Sequence, residues 1–304
     1  MHKDIVEVSQ FDRADLESIF DHADRMREIG SRNTSLTGRI LATVFYEPST
    51  RTRLSFESAM LRLGGGVIST ENAREFSSAI KGETVEDTIR ILNGYADAIV
   101  IRHYEQGAAG RAAAVSTVPV INAGDGPGEH PTQALLDLYT IRHELGRIDN
   151  LTVALVGDLR FGRAARSLAK LFTQTRECEV LFVSPPAVPM GSDVRDELEE
   201  AGVPFRDEPN LADAIAVADV VYQTRIQRER FATDEEYQES RGVYVIDKDM
   251  LERMKPGAIL LHPLPRVDEI SPVVDADPRA VYFRQAHNGV LVRMALLEML
   301  LNQG

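Results

Sequence analysis

Residues 40–66 read ILATVFYEPSTRTRLSFESAMLRLGGG. The run 40–46 is short, apolar and partly β-branched, which predicts a buried strand. Pro48 interrupts it, and residues 50–63 then predict a helix that Gly64, Gly65 and Gly66 stop. A strand passing through a polar loop into a helix is the repeating unit of a parallel sheet with right-handed crossovers. Ligands of such sheets sit beyond the carboxyl ends of the strands. The loop from Glu47 to Arg53 is therefore the first place to look for chemistry.

The same alternation continues on both sides. Upstream, Leu16, Ile19, Phe20, Ala23, Met26 and Ile29 share one helical face, closed by Gly30. Downstream, a helix is expected at 83–95, strands at 97–102 and 118–122, then a Gly-rich loop at 123–129. Pro131 opens a long helix to Gly146, a favourable place for proline. A second series follows: strands at 151–156, 179–184, 218–222 and 258–261, with helices at 163–172 and 193–201. Residues 223–241 read as a long charged connection, and 289–302 as a closing helix. The expected fold is α/β, two Rossmann-like domains with parallel sheets flanked by helices. The domains span 1–146 and 147–286, with the C-terminal helix 287–304 expected to pack back on the first. Periodicity alone does not say where that helix packs.

The chain has 304 residues, long enough for two cores without disulfide or metal staples. Lys plus Arg is 34 and Asp plus Glu is 47, a net charge of −13. An acidic surface argues against generic binding to nucleic acid or anionic membrane. Cys178 is the only cysteine, so an internal disulfide and multi-cysteine metal sites are excluded. No apolar leader or membrane-length run is present, and the expected location is cytoplasmic.

Polar clusters fall where the expected strands end. In Glu47-Pro48-Ser49-Thr50-Arg51-Thr52-Arg53, hydroxyls, backbone N–H groups and arginine meet at a helix start, a setting for a phosphate-like dianion. A plain Ser/Thr helix cap with solvated arginines is the competing reading. Arg102-His103 ends a strand, and one of the two could face the same crevice. His130-Pro131-Thr132-Gln133 places an imidazole and an amide at a helix start. Ser77 to Glu83, with Lys81-Gly82, reads alone as a solvated loop. Val156-Gly157-Asp158-Leu159-Arg160-Phe161-Gly162-Arg163 lacks the glycine spacing of a dinucleotide turn. Thr224-Arg225-Ile226-Gln227 follows a strand, with Arg225 and Gln227 two apart. His262-Pro263-Leu264-Pro265-Arg266 cannot be helical, and Leu264–Pro265 is a candidate cis bond. No nucleophile–base pair and no metal-ligand spacing stands out. The sum suits anionic substrates held for group transfer by electrostatics.

These residues resemble the aspartate/ornithine carbamoyltransferases. The match runs through Phe45-Tyr46-Glu47-Pro48-Ser49-Thr50-Arg51-Thr52-Arg53, His130-Pro131-Thr132-Gln133, His262-Pro263-Leu264-Pro265-Arg266 and Ala286-His287-Asn288-Gly289, in order and over nearly the whole chain. Thr132 and Pro263 stand where the ornithine branch carries cysteines, and Thr224 to Gln227 with Glu229-Arg230 resembles an aspartate-binding loop. The resemblance thus implies carbamoyl transfer from carbamoyl phosphate to L-aspartate, in pyrimidine synthesis. One departure is Ile80, where relatives often carry a second lysine before the one matched by Lys81.

The resemblance also assigns roles. Residues 1–146 become the carbamoyl-phosphate-binding domain and 147–286 the aspartate-binding domain. Ser49, Thr50, Arg51 and Thr52 would hold the phosphate, and Arg102 would bridge phosphate and carbonyl oxygen. Thr52, Arg102 and His130 are the catalytic candidates, with Gln133 on the carbamoyl amide. Arg163, Arg225, Gln227 and the Leu264 carbonyl would hold aspartate. Ser77 and Lys81 would enter a neighbouring subunit's site, and Glu47 with Arg163 and Arg230 would form a closing ion pair. The departing phosphate can take the amine proton, so no protein base is needed. No cofactor and no metal is expected. The implied partners are the two substrates and further copies of this chain, as a homotrimer, with a separate regulatory chain left open. Transfer to ornithine or another amine is the near alternative, and a Rossmann-type binding protein without catalysis the far one.

Overall fold

The chain runs through α1 (Arg13–Ile29) and β1 (Ile40–Phe45) into α2 (Thr50–Arg62). The structure, a computed structural model, describes residues 2–29, 33–72, 82–228, 231 and 233–302, with the backbone alone at 236 and 239. It divides into two compact units, Met1–Leu135 with His287–Gly304 and Leu136–Ala286.

In the first unit β2 (Gly66–Glu71), α3 (Val85–Leu92), β3 (Ala98–His103), α4 (Ala108–Val115) and β4 (Val120–Asp125) follow, and α5 (Pro131–Leu145) begins. Its sheet has the order β2-β1-β3-β4, and every pairing is parallel. Strands buried on both faces read as continuous apolar runs, and β3 shows it: Ala98, Ile99, Val100 and Ile101 are all buried. Ile99 and Ile101 pack with Ala42 and Val44 of β1 against Val85 and Ile89 of α3. Each of these isoleucines and valines contributes about 1.5–3 kcal/mol by leaving water.

The second unit adds β5 (Thr152–Val156), α6 (Arg163–Leu171), β6 (Glu179–Val183), α7 (Ser192–Glu200), β7 (Phe205–Asp207), α8 (Leu211–Val217) and β8 (Val220–Gln223). Then come α9 (Asp234–Ser240), α10 (Lys248–Arg253), β9 (Ile259–Leu261) and the start of α11 (Tyr282–Leu301). Its sheet is also parallel, in the order β7-β6-β5-β8-β9. Fold class is as expected: two α/β units with parallel sheets.

From His287 onward α11 belongs to the first unit. Asn288 accepts from the Arg27 guanidinium at 2.6 Å, and Arg293 donates to Ser55 Oγ at 2.7 Å. His22 pairs with Glu298. Helix α11 starts at Tyr282, ahead of the expected 289, because Asn288 and Gly289 read as breakers yet lie inside it. β2 was not expected: three glycines hide its start, and it is a half-exposed edge strand paired, among the described residues, only to β1. The 223–241 connection contains α9 rather than being all loop. Among the described residues, no helix is long and apolar enough to cross a membrane.

Candidate active site

The order of the first sheet reverses between β1 and β3, since β2 lies on one side of β1 and β3 on the other. Ligands bind at such a switch point. The loop carrying Glu47 to Arg53 leaves β1 there, and β3 brings Arg102 beside it. Phe45 is in register with Arg102, and the Tyr46 N–H donates to the Arg102 carbonyl at 2.8 Å. The Arg102 guanidinium donates to the Ala123 carbonyl at 3.0 Å and lies 3.5 Å from the Glu47 carboxylate. His103 points elsewhere. It is buried between the rings of Tyr46 and Tyr104, at 4.6 and 4.2 Å, and its Nδ1 accepts from the Glu105 N–H at 3.0 Å. Burial, opposed by Glu105, holds that imidazole below its usual range. Of the Arg102-His103 pair, Arg102 is the one beside the loop after β1.

At the start of α2, Ser49 occupies the N-cap position but its side chain makes no capping hydrogen bond. The plain cap reading therefore loses its hydrogen bond. The helix's first N–H groups have no intrahelical acceptor, and its dipole favours an anion at this end. Thr50 and Arg51 are exposed and Thr52 is buried. Arg53 is committed within the unit, to Glu71 at 2.9 Å and Ser69 Oγ at 3.1 Å.

β4 leads to the third element of this edge. Asp125 accepts from the Gly107 N–H and from the Glu129 N–H, each at 2.8 Å, and so shapes the loop. The loop delivers His130 to the start of α5, where its carbonyl accepts from the N–H groups of Gln133 at 3.0 Å and Ala134 at 3.1 Å. His130 is buried, Gln133 half-buried. Thr132 is fully buried, and its Oγ1 has no partner among the described residues.

The second sheet reverses between β5 and β8. Their carboxyl ends lie so close that a Cβ on Gly157 would meet the Thr224 carbonyl oxygen at 2.4 Å, and Gly157 sits at φ +111°. A shallow cleft opens here, lined by Gly157, Gln223, Thr224, Ile226 and Glu269 among others. Arg225 and Gln227 follow β8, both half-buried. Tyr222 is in register with Leu261 of β9, so Arg225 and Leu264 each lie three residues beyond a paired position. Leu264–Pro265 is cis. Arg163 is the first residue of α6.

Sequence reasoning missed Asp158. It is fully buried, and it accepts from the Phe161 N–H at 2.9 Å and from Gln227 Nε2 at 3.4 Å. Burial pushes its carboxyl up, while those hydrogen bonds pull it back. The available signal was an acid directly after the glycine that ends a strand, read only as part of a failed dinucleotide turn. Ser77, Lys81, Glu229 and Arg230 lie outside the described residues.

Two family profiles match the chain: the carbamoyl-P binding domain of the aspartate/ornithine carbamoyltransferases over residues 3–143, and their Asp/Orn binding domain over 149–300. The chain is 58% identical over 302 residues to a chloroplastic aspartate carbamoyltransferase of Arabidopsis thaliana, covering 98% of this chain and 77% of the relative. It is 49% identical over 306 residues to the aspartate carbamoyltransferase catalytic subunit of Methanothermobacter thermautotrophicus, covering 100% and 97%. Among solved structures, the catalytic subunit of M. jannaschii aspartate transcarbamoylase superposes with a TM-score of 0.92 at 46% identity, over 100% of both chains. The Trypanosoma cruzi aspartate transcarbamoylase in complex with carbamoyl phosphate and aspartate superposes at 0.92 and 42% identity, over 98% and 96%.

Proposed function

The chain belongs to the aspartate/ornithine carbamoyltransferase family, and from that membership we infer its reaction. It transfers the carbamoyl group of carbamoyl phosphate to the amine of L-aspartate, giving N-carbamoyl-L-aspartate and phosphate, a step of pyrimidine synthesis. The aspartate branch is carried by one observation: at the switch point of the second sheet stand a guanidinium, Arg225, and an amide, Gln227, that is tied to Asp158. A dicarboxylate is held by such donors. The amine of an ornithine side chain would want a carboxylate, and Asp158 is already engaged by Phe161 and Gln227.

The roles assigned to individual residues follow. Carbamoyl phosphate goes to the first unit, its phosphate at the start of α2 on Ser49, Thr50, Arg51 and Thr52. Arg102 spans phosphate and carbonyl oxygen. Attack by the neutral amine drives negative charge onto that oxygen, and in this reading Thr52, Arg102 and His130 stabilise it. Gln133 holds the carbamoyl NH₂. Aspartate goes to the second unit, on Arg163, Arg225, Gln227 and the Leu264 carbonyl. The phosphate leaves with the amine proton. Ser77 and Lys81 complete the site of an adjoining subunit.

A homotrimer is the assembly this implies. Support comes from the first unit, where Leu54 and Leu61 on one face of α2 are 50% and 61% exposed, and Ile68 of edge strand β2 is 39% exposed. Exposed leucines on a helix and an edge strand are surfaces that association covers. The archaeal relative is named a catalytic subunit, which fits a separate regulatory chain as a further partner. The location proposed is cytoplasmic: Cys178 is a buried free thiol, which suits a reducing compartment. The Arabidopsis relative, by contrast, is named chloroplastic.

His130→Ala tests the chemistry. Loss of one donor to a developing oxyanion lowers the maximal rate by about 10²–10³, and the variant is expected to remain folded by circular dichroism. Steady-state kinetics with aspartate at saturating carbamoyl phosphate measures it. An unchanged rate would make His130 a structural histidine.

A further inference from the structure

His262 follows β9 and opens the turn His262-Pro263-Leu264-Pro265. Neither proline has an N–H to give, so Leu264 carries the sole main-chain donor between His262 and Arg266. That N–H donates to His262 Nδ1 at 2.8 Å. Nδ1 therefore presents its lone pair, and the ring proton is on Nε2. Nε2 donates to Glu269 Oε1 at 2.7 Å. Both side chains are almost out of water, 1% and 7% exposed.

Position 269 suits a carboxylate only. Its Oε2 accepts from the N–H groups of Val267 and Asp268, both at 3.1 Å. A carboxylate accepts on every side. An amide in its place would turn an NH₂ either on those two N–H groups or on the imidazole N–H. Behind the ring, the His262 N–H donates to Gln285 Oε1 at 2.9 Å, and Gln285 Nε2 donates to Asp137 Oδ1 at 2.6 Å. Histidine is thus fixed by backbone and side chain before it touches Leu264. Leu264 itself lies at φ +58°, a left-handed conformation that a leucine keeps only where its neighbours hold it. Its N–H is pinned on one side, and Pro265 restricts it on the other. The carbonyl between them has one direction.

We propose that His262, oriented by Glu269, is a positioning residue for aspartate, setting the direction of the Leu264 carbonyl. The proposal rests on the role given to that carbonyl above. His262 touches no substrate, so its effect is read in the second substrate alone.

Two substitutions separate its two hydrogen bonds. Glutamine places an amide nitrogen where Nε2 stands and leaves the Leu264 N–H without its acceptor. Asparagine places an amide oxygen where Nδ1 stands and is too short to reach Glu269. His262→Gln is expected to raise the KM for aspartate about tenfold, the worth of one hydrogen bond, with the Kd of carbamoyl phosphate unchanged by direct titration. Glu269→Gln is expected to do the same, and His262→Asn to raise KM about threefold less than His262→Gln. Unfolding midpoints are measured for all three. The proposal is overturned by an unchanged aspartate KM in folded His262→Gln and Glu269→Gln. It is equally overturned if both constants rise alike in all three variants, or if His262→Gln and Glu269→Gln both fail to fold, since the pair would then anchor the unit and not the carbonyl. The wild type is assayed beside them. A wild type that does not carbamoylate aspartate removes the reading of the site and this inference together. An active wild type with unmoved variants removes this inference alone.

Discussion

Replacing Arg225 by alanine is expected to leave carbamoyl phosphate binding nearly intact and to cut turnover of aspartate by between one and four orders of magnitude. Carbamoyl phosphate is assigned to the first unit, and Arg225 stands in the second, beyond the carboxyl end of β8. The residue is half-buried, so the charge it offers a carboxylate is only partly screened. Removing one member of a desolvated, hydrogen-bonded charge pair costs about 2–5 kcal/mol, and each ~1.4 kcal/mol is a factor of ten. The expected loss in kcat/KM for aspartate is thus about 30-fold to 4,000-fold. Isothermal titration with carbamoyl phosphate and steady-state kinetics with aspartate measure the two halves separately. Near-normal aspartate kinetics in this variant would sink the assignment of the second unit's site.

The second large effect concerns assembly. Arg51 is exposed at the start of α2, and Lys81 is proposed to reach the site of a neighbouring subunit. Arg51→Ala and Lys81→Ala each remove a charge that neutralises phosphate, and each alone is expected to be nearly inactive. Unfolded together and refolded as mixed trimers, they are expected to regain activity. In a ring of heterologous contacts each site takes one face from each of two subunits. Random mixing therefore leaves about a quarter of the interfaces wild-type on both faces. Each mutant refolded alone is the control. A mixture that demonstrably exchanges subunits yet stays inactive would place Lys81 in its own subunit's site or in none.

Much of this was legible in the sequence because parallel sheets write plainly. β1, β3, β5 and β6 are buried on both faces, so their apolar runs stood out. The polar loops after β1 and β8 fell where such sheets put their ligands. Illegible elements had weak local signals. β2 is a half-exposed edge strand that starts in glycine, and β7 has three residues. In α11, Asn288 is buried and accepts from Arg27, a tertiary contact that overrides its poor helix propensity. The site shows the same division. The residues proposed to meet a ligand were read from type and position: Arg102, Arg225, and the hydroxyls at the start of α2. Residues that orient others were not, because their role lies in a contact distant in sequence. Asp158 meets Gln227, and Glu269 meets His262 across a turn that spacing alone does not close.

The central claim is that Arg225 and Gln227 select aspartate as the amine. It is tested most directly by supplying carbamoyl phosphate with L-aspartate or with L-ornithine to the same preparation and identifying the carbamoylated product. The expected result is N-carbamoyl-L-aspartate, formed with one phosphate released per turnover, and no citrulline above the uncatalysed background. Citrulline formed at a comparable rate, or no product from either amine, would contradict it.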